Sequence, residues 1–542
     1  MIYKQNGRLE GDSPKSLDCR LLMKNQLTQP KTTALRRLGH LLLFAIVFSI
    51  ANARSADPFL KTSGNDIRDE RGKGDVVMLR GVNLGSWLVF EGWMCPMDCS
   101  KLTDDWSVRE TLTRRFDAAT RDALLADYED AWITEADLDN IASLGMNVVR
   151  LPFWYLNVQD EDGTWRADAF TRMDWLIENA WKRRIYTIID FHGAPGGQSD
   201  SDSTGRLRKE NENNLKPEFW TKKKHAERAA EIWKRVAGRY KGNPAVAAYD
   251  LLNEPTAAPN REALWALYDR FYKAIRAVDH DHIVSMEGCW GGQVDGKLMN
   301  WGWDVLPAPE DFGWTNVLYQ MHSYEWDWNS LEKQRRNTAS QIKDWRKHMN
   351  WNVPCLIGEF NVMAREEAWR YTIEEFCANN MSWTIWTYKA THGSGQDSWG
   401  VYNYIDPAPP KPNIQDDDAD TISDKWQAWD ESAFQINPML KRYVAMPIPV
   451  NDEYIVMQDL VLAVSAPGVL LNDKHMNLGT PRVKLTARKV GEPTHGKVNL
   501  NPDGSFKYTP EAGFSGTDTF RYRVFDGRLD SALIGTVTIT VK

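Results

Sequence analysis

Eight short apolar runs, separated by helix-like sequence, constrain the fold of this chain more than any other feature. They are "VVMLRGVNLG" (76–85), "MNVVRLPF" (146–153), "IYTIIDFHG" (185–193), "VAAYDLLNE" (246–254), "HIVSMEG" (282–288), "NVLYQMHSY" (316–324), "PCLIGEF" (354–360) and "SWTIWTYK" (382–389). Their apolar residues are continuous rather than alternating, as in strands buried on both faces. Between them, "TEADLDNIASLG" (134–145) puts Thr134 and Asp137 at capping-box spacing and Gly145 at the stop position. The stretches 223–239, 261–277 and 365–379 also read as helices. Eight such repeats predict an α/β fold, a (β/α)8 TIM barrel over 57–445.

The pattern changes after the barrel. Residues 446–453, in "MPIPVNDEY", read as a linker. From 454 to 542 come short β-branched and aromatic runs, with "NPDGS" (501–505) as a turn joining two of them. This predicts a C-terminal all-β sandwich domain. The acidic run "DDDAD" (416–420) reads as a solvated loop rather than a calcium site.

The N-terminal 56 residues are expected to be an extension and a secretory signal peptide. Basic "RRLGH" (36–40) precedes apolar "LLLFAIVFSI" (41–50) and small "ANA" (51–53). The apolar run is too short for a spanning helix, so no membrane insertion is expected. The expected location is extracellular, with periplasm or cell surface as alternatives.

Residues 1–56 hold 9 of the 66 basic residues and 3 of the 74 acidic ones, so the remainder carries a formal charge of −14. That balance argues against nucleic acid or an anionic membrane as partner. Five cysteines follow residue 56: Cys95, Cys99, Cys289, Cys355 and Cys377. Cys95 and Cys99 are close enough in sequence for a local disulfide, and no His/Cys spacing suggests zinc. No metal or other cofactor is expected.

In a barrel of this type, reactive groups stand at the C-terminal strand ends. Those ends offer Asn83, Arg150, His192, Asn253 and Glu254, His322 and Tyr324, Glu359, and finally Trp386 and Tyr388. Two of them, Glu254 and Glu359, are carboxylates. A pair converging on one cleft suits glycoside hydrolysis, in which one donates a proton and the other attacks the anomeric carbon. Their surroundings must then push their proton affinities apart. Arg150, His322 and Tyr324 are candidate donors to Glu359, Asn253 to a sugar hydroxyl, and Trp386 a stacking floor. The 25 Trp residues suit sugar stacking, although core packing is the default for any one of them.

"NVVRLP", "DFHGAPG", "LLNEP", "HSY", "IGEF" and "WTIWTYK" resemble glycoside hydrolase family 5, in the clan of retaining β-glycosidases. The resemblance covers about 75–400. It implies Glu254 as acid/base and Glu359 as nucleophile, supported by Arg150, His192, Asn253, His322, Tyr324 and Trp386. "GVNLGSWLVFEGWM" (81–94), "DAWITEADLDNIASLGMNVVRLPFWY" (130–155) and "DFHGAPGGQSDSDSTG" (190–205) look most like exo-β-1,3-glucanases. That likeness implies Glu91 and Asp202 as binders of the terminal sugar. Ser201 stands where those enzymes carry an aromatic residue, and "MHSYEWDWN" (321–329) and "THGSGQDSWG" (391–400) also diverge.

The C-terminal unit resembles cadherin-like or bacterial Ig-like modules, through "PGVLLNDK" (467–474) and "GKVNLNPDGSFKYTPEAGFSGTDTFRYRVFDG" (496–527). Such a module is expected to be a spacer, or a contact to a cell surface or matrix. The expected activity is retaining hydrolysis of a β-glucan polysaccharide or oligosaccharide, exo-acting on β-1,3 links. The alternatives are an endo-β-glucanase, a mannan or glycolipid β-glycosidase, or a non-catalytic glycan-binding adhesin.

Overall fold

A computed structural model describes residues 57–98, 102–209, 213–291, 293–294, 297–298, 302–363, 365–392, 399–475 and 484–542. The expected signal segment, Cys19 and Cys99 lie outside these residues. Cys95, Cys289, Cys355 and Cys377 are free thiols. No described helix is long and apolar enough to cross a membrane.

All eight predicted strands form. In chain order they are β1 Arg80–Asn83, β2 Val148–Trp154, β3 Tyr186–Gly193, β4 Val246–Asp250, β5 Ile283–Glu287, β6 Val317–Ser323, β7 Cys355–Phe360 and β8 Ser382–Ile385. They close into a barrel in sequential order, with β8 pairing β1. Every residue of these strands is buried. That burial on both faces explains why the runs show no alternation.

Helices Thr171–Lys182, Lys223–Tyr240, Arg261–Arg276, Leu331–Lys347 and Glu366–Ala378 wrap the barrel. Glu135–Ser143 starts with the predicted capping box: Asp137 Oδ2 accepts the Thr134 N–H at 2.8 Å, and Thr134 Oγ1 accepts the Asp137 N–H at 3.4 Å. Gly145 follows at φ +74°, where an added Cβ would lie 2.7 Å from the Met446 carbonyl oxygen. Only glycine fits both the dihedral and the gap. The β5–β6 connection departs from the repeat. Its described residues form a small hairpin, Gln293–Val294 with Lys297–Leu298, and the 3-10 turns Trp303–Val305 and Pro309–Phe312, with no α-helix among them.

The acidic run has a local structural role. Asp418 caps the helix Ala419–Gln427, and Asp417 pairs with Lys425 at 2.6 Å. Trp87, Trp132, Trp154, Trp233, Trp303, Trp369, Trp383, Trp426 and Trp429 are fully buried, so the core takes much of the tryptophan.

The C-terminal module is a sandwich of two sheets. One contains β9 Asp452–Val456, β15 Gly535–Val541, β14 Gly516–Phe525 and β11 Thr486–Gly491, in that order. The other contains β10 Leu462–Val464, β13 Phe506–Pro510 and β12 Gly496–Leu500. Alternate residues of β15 are buried, as expected of a strand facing one core.

The module packs directly on the barrel. Its loop 526–532 seats against the N-terminal floor of the barrel. Leu529 and Ala532 join the barrel's apolar core. The Arg80 guanidinium donates to the Asp530 carbonyl at 2.6 Å, and Arg523 donates to the Val76 carbonyl at 2.6 Å. Arg521 pairs with Asp75 at 2.9 Å and with Glu70 at 2.5 Å.

Candidate active site

The C-terminal ends of the strands gather around one guanidinium. Arg150, on β2, is 0% exposed. Its Nη1 donates to Glu359 Oε1 at 2.9 Å and to Asn83 Oδ1 at 3.0 Å. Its Nη2 donates to Asn253 Oδ1 at 2.9 Å and lies 3.1 Å from Asp190 Oδ1, while Nε donates to Asp250 Oδ2 at 2.8 Å. Burial works against its charge, but the carboxylates of Asp190, Asp250 and Glu359 more than offset this and raise its pKa. One cation on β2 thus fixes groups from β1, β3, β4 and the segment after it, and β7.

Glu359 is held from both sides. Besides Arg150 on Oε1, the Tyr324 hydroxyl donates to Oε2 at 2.9 Å. Glu254 is held differently. Its Oε1 shares a hydrogen bond with His322 Nδ1 at 2.9 Å. The same Nδ1 lies 3.4 Å from Glu359 Oε2 and 3.6 Å from Glu287 Oε1, so His322 serves Glu254 more closely than Glu359. Burial pushes His322 down to about 3, against the pull of Glu359, which leaves a neutral imidazole. Burial likewise raises Glu254, with His192 and Arg150 opposing. One oxygen each of Glu254 and Glu359 and one ring nitrogen of His322 lie within 4.8 Å of one another. The two carboxyls thus face one another with no room between them for the nucleophilic water that inverting enzymes need, in which the groups stand about 6.5–9.5 Å apart.

A second layer orients the first. His192 Nδ1 bonds Asp190 Oδ2 at 2.6 Å, its Nε2 lies 3.3 Å from Asn253 Nδ2, and its ring stacks on Trp386 at 5.5 Å and 7°. Burial raises Asp190 to about 7, with Arg150 opposing, and lowers His192 to about 4. Gln198 donates to the carbonyls of His192 at 2.7 Å and Asn253 at 2.8 Å, tying β3 to the segment after β4.

Glu91 accepts the Trp93 indole N–H at 2.9 Å. Burial and the nearby Asp202 carboxylate push Glu91 well above the usual carboxylate range, with Glu359 and Glu254 adding to the effect. Asp202 opens a short 3-10 turn, and its carboxylate accepts from Ser201 and Ser203. An aromatic ledge continues outward from Tyr324. Trp326 stacks on it at 5.5 Å and 20°, and Trp328 and Trp399 pack beside it. Trp326 is 66% exposed.

The structure therefore joins Arg150, Asn253, Glu254, His322, Tyr324 and Glu359 in one bonded set, with His192 and Trp386 stacked beside it. Tyr388 is elsewhere, its hydroxyl donating to the structural Asp137 at 2.9 Å. Asp190, Asp250, Glu287 and Gln198 were not singled out from the sequence. The signal was present in the polar residues at the ends of apolar runs, as in "IIDFHG" and "SMEG". The Glu254–His322–Glu359 set and the Asp304–Asp344–His348 group have spacings that a cation could use. In the first, His322 is engaged with Glu254; in the second, Lys347 lies 2.6 Å from Asp304. Neither is read as a metal centre.

The model of cellulase (glycosyl hydrolase family 5) matches residues 115–392, and that of the bacterial cadherin-like domain matches 445–542. A beta-xylosidase of Phanerodontia chrysosporium is 29% identical over 361 residues, covering 61% of this chain and 71% of the relative. A probable glucan 1,3-beta-glucosidase A of Neosartorya fischeri is 29% identical over 252 residues, covering 46% of this chain and 56% of the relative. The crystal structure of an endogalactoceramidase shares the fold at a TM-score of 0.50 and 15% identity, over 86% of this chain and 100% of that one. The family match runs from ahead of β2 to just past β8, through every strand end that lends a side chain to the Arg150 cluster except β1. This chain is a glycoside hydrolase and belongs to glycosyl hydrolase family 5, with a bacterial cadherin-like domain following its barrel.

Proposed function

We propose that the protein hydrolyses β-glucosidic bonds by double displacement, exo-acting on β-1,3-glucan, with Glu254 as acid/base and Glu359 as nucleophile. The observation that carries this is the unequal setting of two carboxyls within 4.8 Å. Glu359 faces a guanidinium and a phenol, both of which stabilise negative charge. Burial raises Glu254, with His192 and Arg150 opposing, which favours the protonated form a general acid needs.

In the first step Glu359 attacks the anomeric carbon while Glu254 protonates the departing oxygen. In the second, Glu254 takes a proton from water, which displaces Glu359 and restores both groups. The covalent intermediate is also open to a sugar acceptor, giving transglycosylation. Arg150 and Tyr324 keep Glu359 oriented through both steps. Asn253, held by Arg150, presents its amide to a sugar hydroxyl beside the reacting carbon, and Trp386 offers a flat face.

The exo, β-1,3 reading is supported by the buried Glu91 carboxyl, which feels the charges of Asp202, Glu359 and Glu254, and by the relatives named as glucan 1,3-beta-glucosidases. A β-xyloside substrate is the second reading, favoured by the P. chrysosporium relative. Secretion is part of the proposal and rests on residues 36–53.

A product time course on laminarin, pustulan, lichenan, cellulose, mannan and xylo-oligosaccharides tests the reading. Glucose alone, early, from laminarin is the expected result. A ladder of oligosaccharides would replace the exo mode by an endo mode. Xylose release without glucose would favour the second reading.

A further inference from the structure

Glu287 ends β5, is 0% exposed and touches the acid/base directly. Its Oε2 accepts the backbone N–H of Glu254 at 2.8 Å. Glu254 itself has φ +41°, in the left-handed region that a residue with a Cβ seldom occupies. Such a conformation persists only where neighbouring groups hold it. Two bonds do so here. One comes from Glu287, and the other is the Thr256 N–H to the Glu254 carbonyl at 2.7 Å. Glu287 is fixed in turn, since the Tyr268 hydroxyl donates to its carbonyl at 2.9 Å. Its other carboxyl oxygen faces His322 Nδ1 at 3.6 Å, on the imidazole that also meets Glu254.

We propose that Glu287 is the positioning residue of the acid/base: its carboxyl anchors the Glu254 N–H, holds that residue in its left-handed conformation and so aims the Glu254 carboxyl at the departing oxygen. The proposal rests on the acid/base reading of Glu254. The charge balance agrees with it. Glu287 faces Glu254, Asp250, Arg150, His322 and Cys289. Burial, then the Glu254 and Asp250 carboxylates, push Glu287 well above the ordinary carboxylate range. A neutral carboxyl accepts the N–H through its carbonyl oxygen and adds no second charge beside the acid. Glu287 touches neither substrate nor the reacting atoms; it acts through Glu254.

The test compares two β-glycosides of whichever sugar the wild-type enzyme hydrolyses, one with a 2,4-dinitrophenyl leaving group and one with an alkyl group. The first leaves without a proton; the second needs one. The readout is kcat/KM, which reports the glycosylation step, together with thermal melting. Glu287→Leu removes the acceptor. A misaimed acid is expected to lower kcat/KM on the alkyl substrate roughly 100-fold. The dinitrophenyl substrate is expected to stay within about threefold. Glu287→Gln retains an acceptor oxygen and should rescue both. Glu287→Asp draws the acceptor back by one methylene and should lose the alkyl substrate selectively; it carries the test if the leucine variant does not fold.

Equal losses on both substrates, or no loss in either the leucine or the aspartate variant, would overturn the proposal. Glu254→Gln, assayed on the same pair, separates the premise from the inference. A selective alkyl loss there, without one at Glu287, defeats the positioning role alone. Absence of selectivity in Glu254→Gln defeats the acid reading, and this proposal with it.

Discussion

The two ends of the barrel each bury an arginine, and each does so differently. At the mouth, Arg150 meets Asp190, Asp250 and Glu359 and two side-chain amides. At the floor, Arg80 is 1% exposed and bonds to the Asp530 carbonyl and the sulfurs of Met446 and Met78, with its Nε unpartnered. Beside it Arg523 bonds to the carbonyls of Val76, Ser531 and Ala532. Burial and the like charge of Arg80 lower Arg523 to about 10.

The mouth concentrates opposing charges around the carboxyl pair, as the proposed division into nucleophile and acid requires. The floor spreads positive charge over backbone dipoles contributed largely by another domain. Carboxylates surround the buried cation at one end; at the other, carbonyls around Arg80 and Arg523, with the Arg521 pairs to Glu70 and Asp75 beside them, join two folding units.

The sharpest way to break this contrast is Arg150→Leu. It strands three buried carboxylates, with an expected stability loss of about 3–5 kcal/mol. Loss of the donor to Glu359 should also cut kcat by roughly 1000-fold. Retained activity would remove Arg150 from the centre of the site.

Arg523→Met tests the other end. Three carbonyls lose a charged donor, and the expected cost is about 1–3 kcal/mol in melting experiments, with kcat unchanged. A fall in kcat at constant stability would mean that the floor reports to the mouth.

The module supplies a pH test. The Tyr522 hydroxyl lies 3.0–3.1 Å from Asp452, Asp473 and the carbonyls of Val450 and Val469, yet has one proton to give. Burial raises Asp452 to about 7 and Asp473 to about 6. Folded-state values above the unfolded ones mean that the stabilisation is whole below pH about 4 and is lost as pH rises through 6 and 7. Melting of the module should drop by about 2–4 °C across that window, and Asp473→Asn should flatten the drop. A melting temperature that rises over the same window would overturn the assignment.

The smallest expected effect is at the aromatic ledge. Trp326→Ala should raise KM by up to about tenfold, the value of one stacked ring, without altering melting. An unchanged KM would leave the exposed indole outside the substrate path.

Much of the barrel was legible because both-face burial writes itself as uninterrupted apolar runs. The bonded set was legible because an apolar run that ends in Asn253 and Glu254, or in Glu359, has no core use for those groups. Glu287 escaped because "SMEG" carries one acid and no companion, and its partner is a backbone N–H that no side-chain pattern encodes. Asp190 and Asp250 sit inside apolar runs and read as strand residues until Arg150 is seen between them. His322 was expected at Glu359 and sits nearer Glu254, a difference of half an ångström between contacts of 2.9 and 3.4 Å. Periodicity has no access to such distances.

The eight strands, the sandwich and the carboxyl pair follow from local burial patterns and residue chemistry, and so are written in the residues themselves. The seating of the module on the barrel floor and the Glu287 bond to the Glu254 N–H appear only once the chain is folded. Arg523 and Leu529 look like ordinary strand and turn residues until the barrel floor meets them. The left-handed backbone of Glu254 is tolerable only where Glu287 and the chain around Thr256 are brought to it. Both depend on contacts between segments far apart in the chain, which no local pattern of residues records.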